Sequence, residues 1–277
     1  MTSQLNAFTK TSRRRFLPSP GIVALAGLLV LAAYGRHALA LPDDLEVLLD
    51  DLNKPGEFSA EVIASYALSR PRTRSDEELQ PTFHVLQVSP EFSWGLAKNV
   101  QFNVQLFSSL NREGHGTLDG GQLELLAIPI RPDDEDDDGF FAGGMVEIGR
   151  LPRTISTNKL DGEVTFLLGY RSGKWTVATN LEADFKVSGN GSSAPDLSAK
   201  IKLGYKTTAS YSIGFEYYGD LGELRDIGPL SQESQHLFAV VDFKHKGWSF
   251  NVGVGRGLNA FSEPWVLKAV FELPFGD

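Results

Sequence analysis

Residues 174–186 read Lys174-Trp175-Thr176-Val177-Ala178-Thr179-Asn180-Leu181-Glu182-Ala183-Asp184-Phe185-Lys186. In an extended chain, Trp175, Val177, Leu181, Ala183 and Phe185 share one face, and the other face is mostly polar. The same period of two continues toward the C-terminus. Ala199, Ile201, Leu203 and Tyr205 oppose Ser198, Lys200 and Lys202, and Tyr211, Ile213, Phe215 and Tyr217 oppose Ser212, Gly214 and Glu216. Leu237, Ala239, Val241 and Phe243 oppose Asp242 and Lys244, and Trp248, Phe250, Val252 and Val254 oppose Ser249, Asn251 and Gly253. Trp265, Leu267, Ala269, Phe271 and Leu273 oppose Lys268 and Glu272. Segments 57–70, 80–94, 98–110, 120–131, 139–151 and 159–171 repeat the pattern less cleanly.

This makes about twelve strands of roughly 10–14 residues, whereas globular strands average about 5–6 and about 9–11 tilted residues cross a bilayer. Length therefore predicts an all-β fold, an antiparallel transmembrane β-barrel. Connection lengths agree. Short links at Arg171-Ser172-Gly173, Lys206-Thr207-Thr208 and His245-Lys246-Gly247 alternate with longer ones at 188–196, 219–234 and 257–264. Short turns on one rim and long loops on the other are the pattern of outer-membrane barrels. Trp94, Tyr170, Trp175, Tyr205, Tyr211 and Trp248 fall beside the short links. Amphipathic rings at one height predict an interfacial girdle there.

Composition excludes competing classes. The chain of 277 residues is 42% hydrophobic and 22% charged, which is too apolar for a disordered chain. It has no Cys, so disulfides, thiolate metal sites and Cys nucleophiles are out. A net charge of −9 argues against a nucleic-acid partner, because phosphate contacts need clustered Lys and Arg.

Residues 1–40 read as a signal peptide: Lys10, Arg13, Arg14 and Arg15 precede an apolar run from Gly21 to Tyr34, and Ala38-Leu39-Ala40 offers a cleavage site. Ser12-Arg13-Arg14-Arg15-Phe16-Leu17 also resembles a twin-arginine signal, so both export routes stay open; a soluble periplasmic barrel is the alternative that fits the second. Removal of the leader takes away five basic residues and no acidic ones, which carries the formal charge from −9 to −14. Residues 41–56 place Leu45, Leu48, Leu49 and Leu52 at helical spacing ahead of Pro55-Gly56. A short amphipathic helix, serving as a periplasmic cap or linker, is the expectation there. The barrel is expected over 57–277.

Over those residues the chain resembles bacterial outer-membrane β-barrel proteins. More narrowly, Gly214-Phe215-Glu216-Tyr217-Tyr218-Gly219-Asp220-Leu221-Gly222 and Gly253-Val254-Gly255-Arg256-Gly257-Leu258, with the strand up to Phe275, resemble the meta-pathway phenol-degradation family of outer-membrane proteins. The resemblance implies a channel or transporter for small, aromatic or hydrophobic molecules, resident in outer-membrane lipid and inserted by the barrel-assembly machinery. Such barrels commonly end on an aromatic residue, whereas here Phe275 is followed by Gly276-Asp277.

The inward face is expected to carry Glu182, Asp184, Lys186, Lys200, Lys202, Glu216, Asp242, Lys244, Lys268 and Glu272 as pore-lining residues or as cross-strand ion pairs filling the barrel. The run Asp133-Asp134-Glu135-Asp136-Asp137-Asp138 has carboxylates dense enough for a hard cation but no spaced ligand pattern, and a solvated link is the competing reading. No metal site or cofactor is expected: His84, His115, His236 and His245 are scattered without metal-ligand spacing. The chain is expected not to be an enzyme. The alternatives to a channel are a closed structural or ligand-binding barrel and a lipid-acting barrel enzyme using His84 or His236.

Overall fold

The structure is a computed structural model and describes residues 45–72, 82–133, 137–188 and 194–275. The leader at 1–40, residues 41–44 and the final Gly276-Asp277 lie outside the described residues.

Period-two sequence becomes long antiparallel strands: β1 (Phe58–Ala67), β2 (Leu86–Ala97), β3 (Val100–Leu110), β4 (Gly116–Ile130), β5 (Gly139–Arg150), β6 (Leu160–Ser172), β7 (Trp175–Ser188), β8 (Asp196–Thr208) and β9 (Tyr211–Glu223). A two-residue β10 (Asp226–Ile227) folds back antiparallel on the end of β9, and β11 (Gln235–His245), β12 (Trp248–Gly257) and β13 (Trp265–Phe275) follow. Each long strand pairs with its sequence neighbours, and β1 pairs with β13 from Phe58↔Phe275 to Ala67↔Val266. The sheet is therefore a closed barrel of twelve long strands, with no free edge to satisfy.

The side-chain distribution is inverted relative to a soluble protein. Phe166 is 65% exposed and Phe215 56%, while their neighbours in sequence Thr165 and Glu216 are 0% and 1% exposed. Apolar residues outside and polar residues inside suit a lipid surround, since an apolar band of this extent in water would drive association. The girdle forms at the short-turn rim. Trp94, Tyr170, Trp175, Tyr211 and Trp248 are all exposed, and Trp175 meets Tyr205 edge-on at 4.7 Å across β7 and β8. Phe250 stacks on Phe243 at 4.6 Å and Trp248 lies 6.1 Å from Phe250, extending the belt across β11 and β12.

Turn chemistry fixes that rim. Lys246 (φ 53) and Gly247 (φ 85) both occupy the left-handed region, as a two-residue hairpin whose twist matches its strands requires. Both chain ends of the barrel, Phe58 and Phe275, lie on the same rim. Inside, Gly255 of β12 relieves crowding: a Cβ there would sit 2.4 Å from the Phe238 ring that covers it.

The N-terminal expectation is corrected. Residues 45–54 form no helix and sit inside the barrel rather than beside it. Leu45 and Val47 are buried against Leu126, Ile128, Phe141, Leu167 and Ala178 of the wall, and Leu48, Leu49 and Leu52 pack on the same cluster. The leucine spacing serves an apolar contact, but the backbone groups that a helix would pair internally are taken by lumen side chains instead, as the site below shows.

Candidate functional site in the barrel lumen

The segment from Leu45 to Lys54 crosses the lumen diagonally, and each step is tied to a different strand. At its start the Leu45 carbonyl accepts from Lys268 Nζ (2.7 Å) on β13. Next, the Asn180 carboxamide on β7 accepts from Leu48 N (2.7 Å) and donates to Leu48 O (3.1 Å), imitating a strand partner. Arg171 on β6 forms an ion pair with buried Asp50, while Arg131 Nη1, just past β4, donates to Asp50 O (3.1 Å). Finally, Asn53 N donates to Gln101 Oε1 (2.8 Å) on β3, and Asn53 Nδ2 donates to Ser59 Oγ (2.9 Å) on β1. Gly95 lets the chain pass close to β2, because a Cβ there would lie 2.2 Å from Lys54 O. Lys268, Asn180, Arg131 and Gln101 thus supply from the wall backbone hydrogen bonds that a helix would make internally, which is why the leucine periodicity does not prevail.

Beside this segment lies a buried charge network. Lys268, 2% exposed, binds Glu216 and donates to Tyr218 Oη (2.9 Å). Lys202 joins Glu216 (3.0 Å) to Asp242 (2.7 Å), and Lys200 pairs with Glu182 (2.8 Å). Asn251 Nδ2 donates to both Glu216 Oε1 (3.0 Å) and Asp242 Oδ1 (2.7 Å). Of the ten lumen residues expected from sequence, Glu182, Lys200, Lys202, Glu216, Asp242 and Lys268 are brought into these linked pairs. Lys186 instead pairs with Asp196 (3.5 Å), and Lys244 is exposed close to the short-turn rim. Asp184 and Glu272 take part in rows of facing carboxylates: Asp184 stands opposite Glu163, and Glu272 opposite Glu61.

Sequence reading missed the inward residues of β1 to β6. These include Glu61, Gln101, Asn103, Gln105, Gln122, Glu124, Glu147, Glu163 and Arg171. Their alternation is present in the sequence, but Pro90 interrupts β2 and register shifts between Phe107 and Ser108 and between Ala127 and Ile130 change the parity of neighbouring residues.

The acidic connection between β4 and β5 lies on the short-turn rim. Asp133 pairs with Lys98 (3.0 Å), which holds its carboxyl below the usual range, and Asp138 accepts from Gly173 N (2.7 Å). Residues 134–136 lie outside the described residues. Among the described residues no group of three or more His, Asp and Glu is arranged to hold a metal ion.

The histidines divide between structural settings. His84 (φ 60) stacks between Phe83 (3.7 Å) and Tyr66 (5.8 Å). Buried His236 contacts Ser234 Oγ (3.4 Å) through Nδ1 and Glu263 (3.4 Å to Oε2) through Nε2, while Thr82 donates to Glu263 Oε1 (3.1 Å). That cluster joins the connections on either side of β1 and β13 at the long-loop rim.

A closed barrel with an apolar exterior, a polar lumen and an internal segment defines the class: an outer-membrane β-barrel. Solved structures agree on the fold. The chain is similar to the crystal structure of the COG4313 outer membrane channel from Pseudomonas putida F1, with a TM-score of 0.55 and 12% identity over 84% of this chain and 100% of that one. It is also similar to the KdgM porin in complex with disordered oligogalacturonate, with a TM-score of 0.50 and 12% identity over 79% and 99% of the respective chains. No protein-family model matches the sequence, and no curated protein matches it.

Proposed function

We propose that this protein is an outer-membrane channel for small molecules whose passage is set by the internal segment 45–54. The observation that carries the reading is the way that segment is held: Lys268, Asn180 and Gln101 of three strands and Arg131 just past β4 grip its backbone, and Arg171 pairs with its Asp50, inside a closed, lipid-facing barrel. About eight strands suffice for side chains alone to fill a barrel interior. Twelve leave space, and the segment narrows it. The constriction is apolar where Leu45, Val47, Leu48 and Leu49 meet Phe141 and Leu167, so it suits a small solute with an apolar face, in keeping with the resemblance to the phenol-degradation family. The chain reaches the outer membrane after cleavage near Ala40, is inserted by the barrel-assembly machinery, and performs no chemistry on its solute.

Single-channel recording in planar bilayers tests this reading. The full mature barrel is expected to give small unitary steps, and Arg171→Ala combined with Asn180→Ala, which removes two of the grips, larger ones. Absence of any conductance in both proteins would leave only a closed barrel.

A further inference from the structure

The two rims of the barrel carry different cations. Exposed lysines mark the short-turn rim, Lys54, Lys98, Lys174 and Lys246 among them, and the two arginines near it, Arg131 and Arg171, are bound to the internal segment. The other seven of the nine described arginines lie at or beyond the long-loop ends of the strands. In outer-membrane barrels that rim faces the cell exterior.

Three of these arginines gather around aromatic rings on the lipid-facing side of the wall. Strand parity fixes the side. Ser65 stands opposite the lumen residue Lys268, so Tyr66 and its partner Leu267 point outward, and Trp265, two residues before Leu267, points the same way. Arg256 stands opposite Trp265 and lays its guanidinium over the indole at 5.0 Å. On the other side of Tyr66, the outward row continues through Leu86 of β2 to Leu110 of β3. Arg112, two residues beyond Leu110, is exposed and close enough to the Tyr66 hydroxyl to act on it electrostatically. His84 stacks on Tyr66 at 5.8 Å, and Arg70 lies 5.2 Å from the centre of the adjoining Phe83 ring. Among the described residues none of the three guanidiniums forms an ion pair. Arg256 donates one N–H to Pro264 O (3.1 Å), and Glu113, next to Arg112 in sequence, is engaged by Asn111.

Toward the middle of the membrane from this patch, Ala64 and Ala269 face each other between Val88 and Val252. Both alanines point outward by parity yet are only 4% and 5% exposed, so the wall is recessed there. A guanidinium presents a planar fork that grips a phosphate through two hydrogen bonds, which a lysine ammonium does not match. A phosphate, a sugar ring to lie against aromatic faces and an acyl chain to fill the recess are parts of one molecule found at this height in a bacterial outer membrane.

We infer that this patch is a docking site for a phosphorylated glycolipid of the outer leaflet. Arg70, Arg112 and Arg256 take its phosphates, Trp265 and His84 flank its sugars, and its acyl chains descend over the recess at Ala64 and Ala269. Basic pockets on membrane proteins recognise lipid headgroups in this way. The site lies on the outside of the barrel, so it goes beyond the channel reading and holds whether or not the lumen conducts.

The test is native mass spectrometry of the full mature barrel in detergent, titrated with diphosphorylated lipid A, dephosphorylated lipid A and phosphatidylglycerol. Diphosphorylated lipid A is expected to bind several-fold more tightly than either of the others. That preference should fall several-fold in Arg112→Gln/Arg256→Gln and persist in Lys98→Gln/Lys246→Gln at the opposite rim. Heat-modifiable gel mobility verifies folding. If the glutamine variant does not fold, Arg112→Lys/Arg256→Lys, which keeps the charge and loses the fork, decides by the same loss. Equal binding of the three lipids overturns the inference, as does phosphatidylglycerol bound as tightly as lipid A, which leaves only a general attraction for anionic lipid. A preference undiminished in the arginine variants overturns it too, because the lipid then sits elsewhere.

Discussion

Lys268 shows how much of the lumen depends on single side chains. It is buried, binds Glu216, donates to Tyr218 and holds the Leu45 carbonyl, so one ammonium group of β13 links β9 to the internal segment. Removing it leaves Glu216, itself 1% exposed, with half of its cationic surroundings. Breaking a buried pair from one side costs about 3–5 kcal/mol. Lys268→Ala should therefore lower the urea midpoint of the reconstituted barrel by a corresponding amount, measured by the loss of heat-modifiable mobility. A midpoint equal to that of the wild type would show that the network contributes no net stability.

At the scale of elements, the strands were legible because their period of two is clean in sequence from β7 to β13. There inward Lys and Glu alternate with outward apolar residues, as in Ala199-Lys200-Ile201-Lys202-Leu203, and the aromatic residues mark the turn. Earlier strands were harder to read for a physical reason. Pro90 cannot donate to the ladder, and each register shift moves an extra residue into the strand, which flips the faces of all that follow. The internal segment was hidden differently: its leucines have helical spacing, but what decides its conformation is Asn180, Arg171 and Gln101, more than forty residues away in sequence. Packing between strands carries a prediction of its own. A Cβ on Gly169 of β6 would lie 2.1 Å from the Phe141 ring of β5, so Gly169→Ala overpacks the wall at a cost of roughly 1–3 kcal/mol. A fall in the same urea midpoint checks this, and pairing it with Phe141→Leu should recover part of the loss.

For the whole molecule, closure of β1 on β13 and the inverted distribution of polar and apolar residues make the bilayer the solvent for the outer face. The mature chain should migrate faster unboiled than boiled after extraction from outer-membrane fractions. Recovery of the protein only from the soluble periplasm would contradict a lipid-facing exterior. The central claim, that the segment 45–54 lies in the path and sets its width, is tested most directly by exploiting the absence of native cysteine. With cysteines placed by Leu48→Cys and Asn180→Cys, a short bifunctional thiol linker with an internal disulfide would pin the segment to β7 in a bilayer-reconstituted channel. Low conductance while pinned, rising reversibly when the linker is reduced, is the predicted result. Equal conductance in the pinned and released states would show that the segment is not what governs passage.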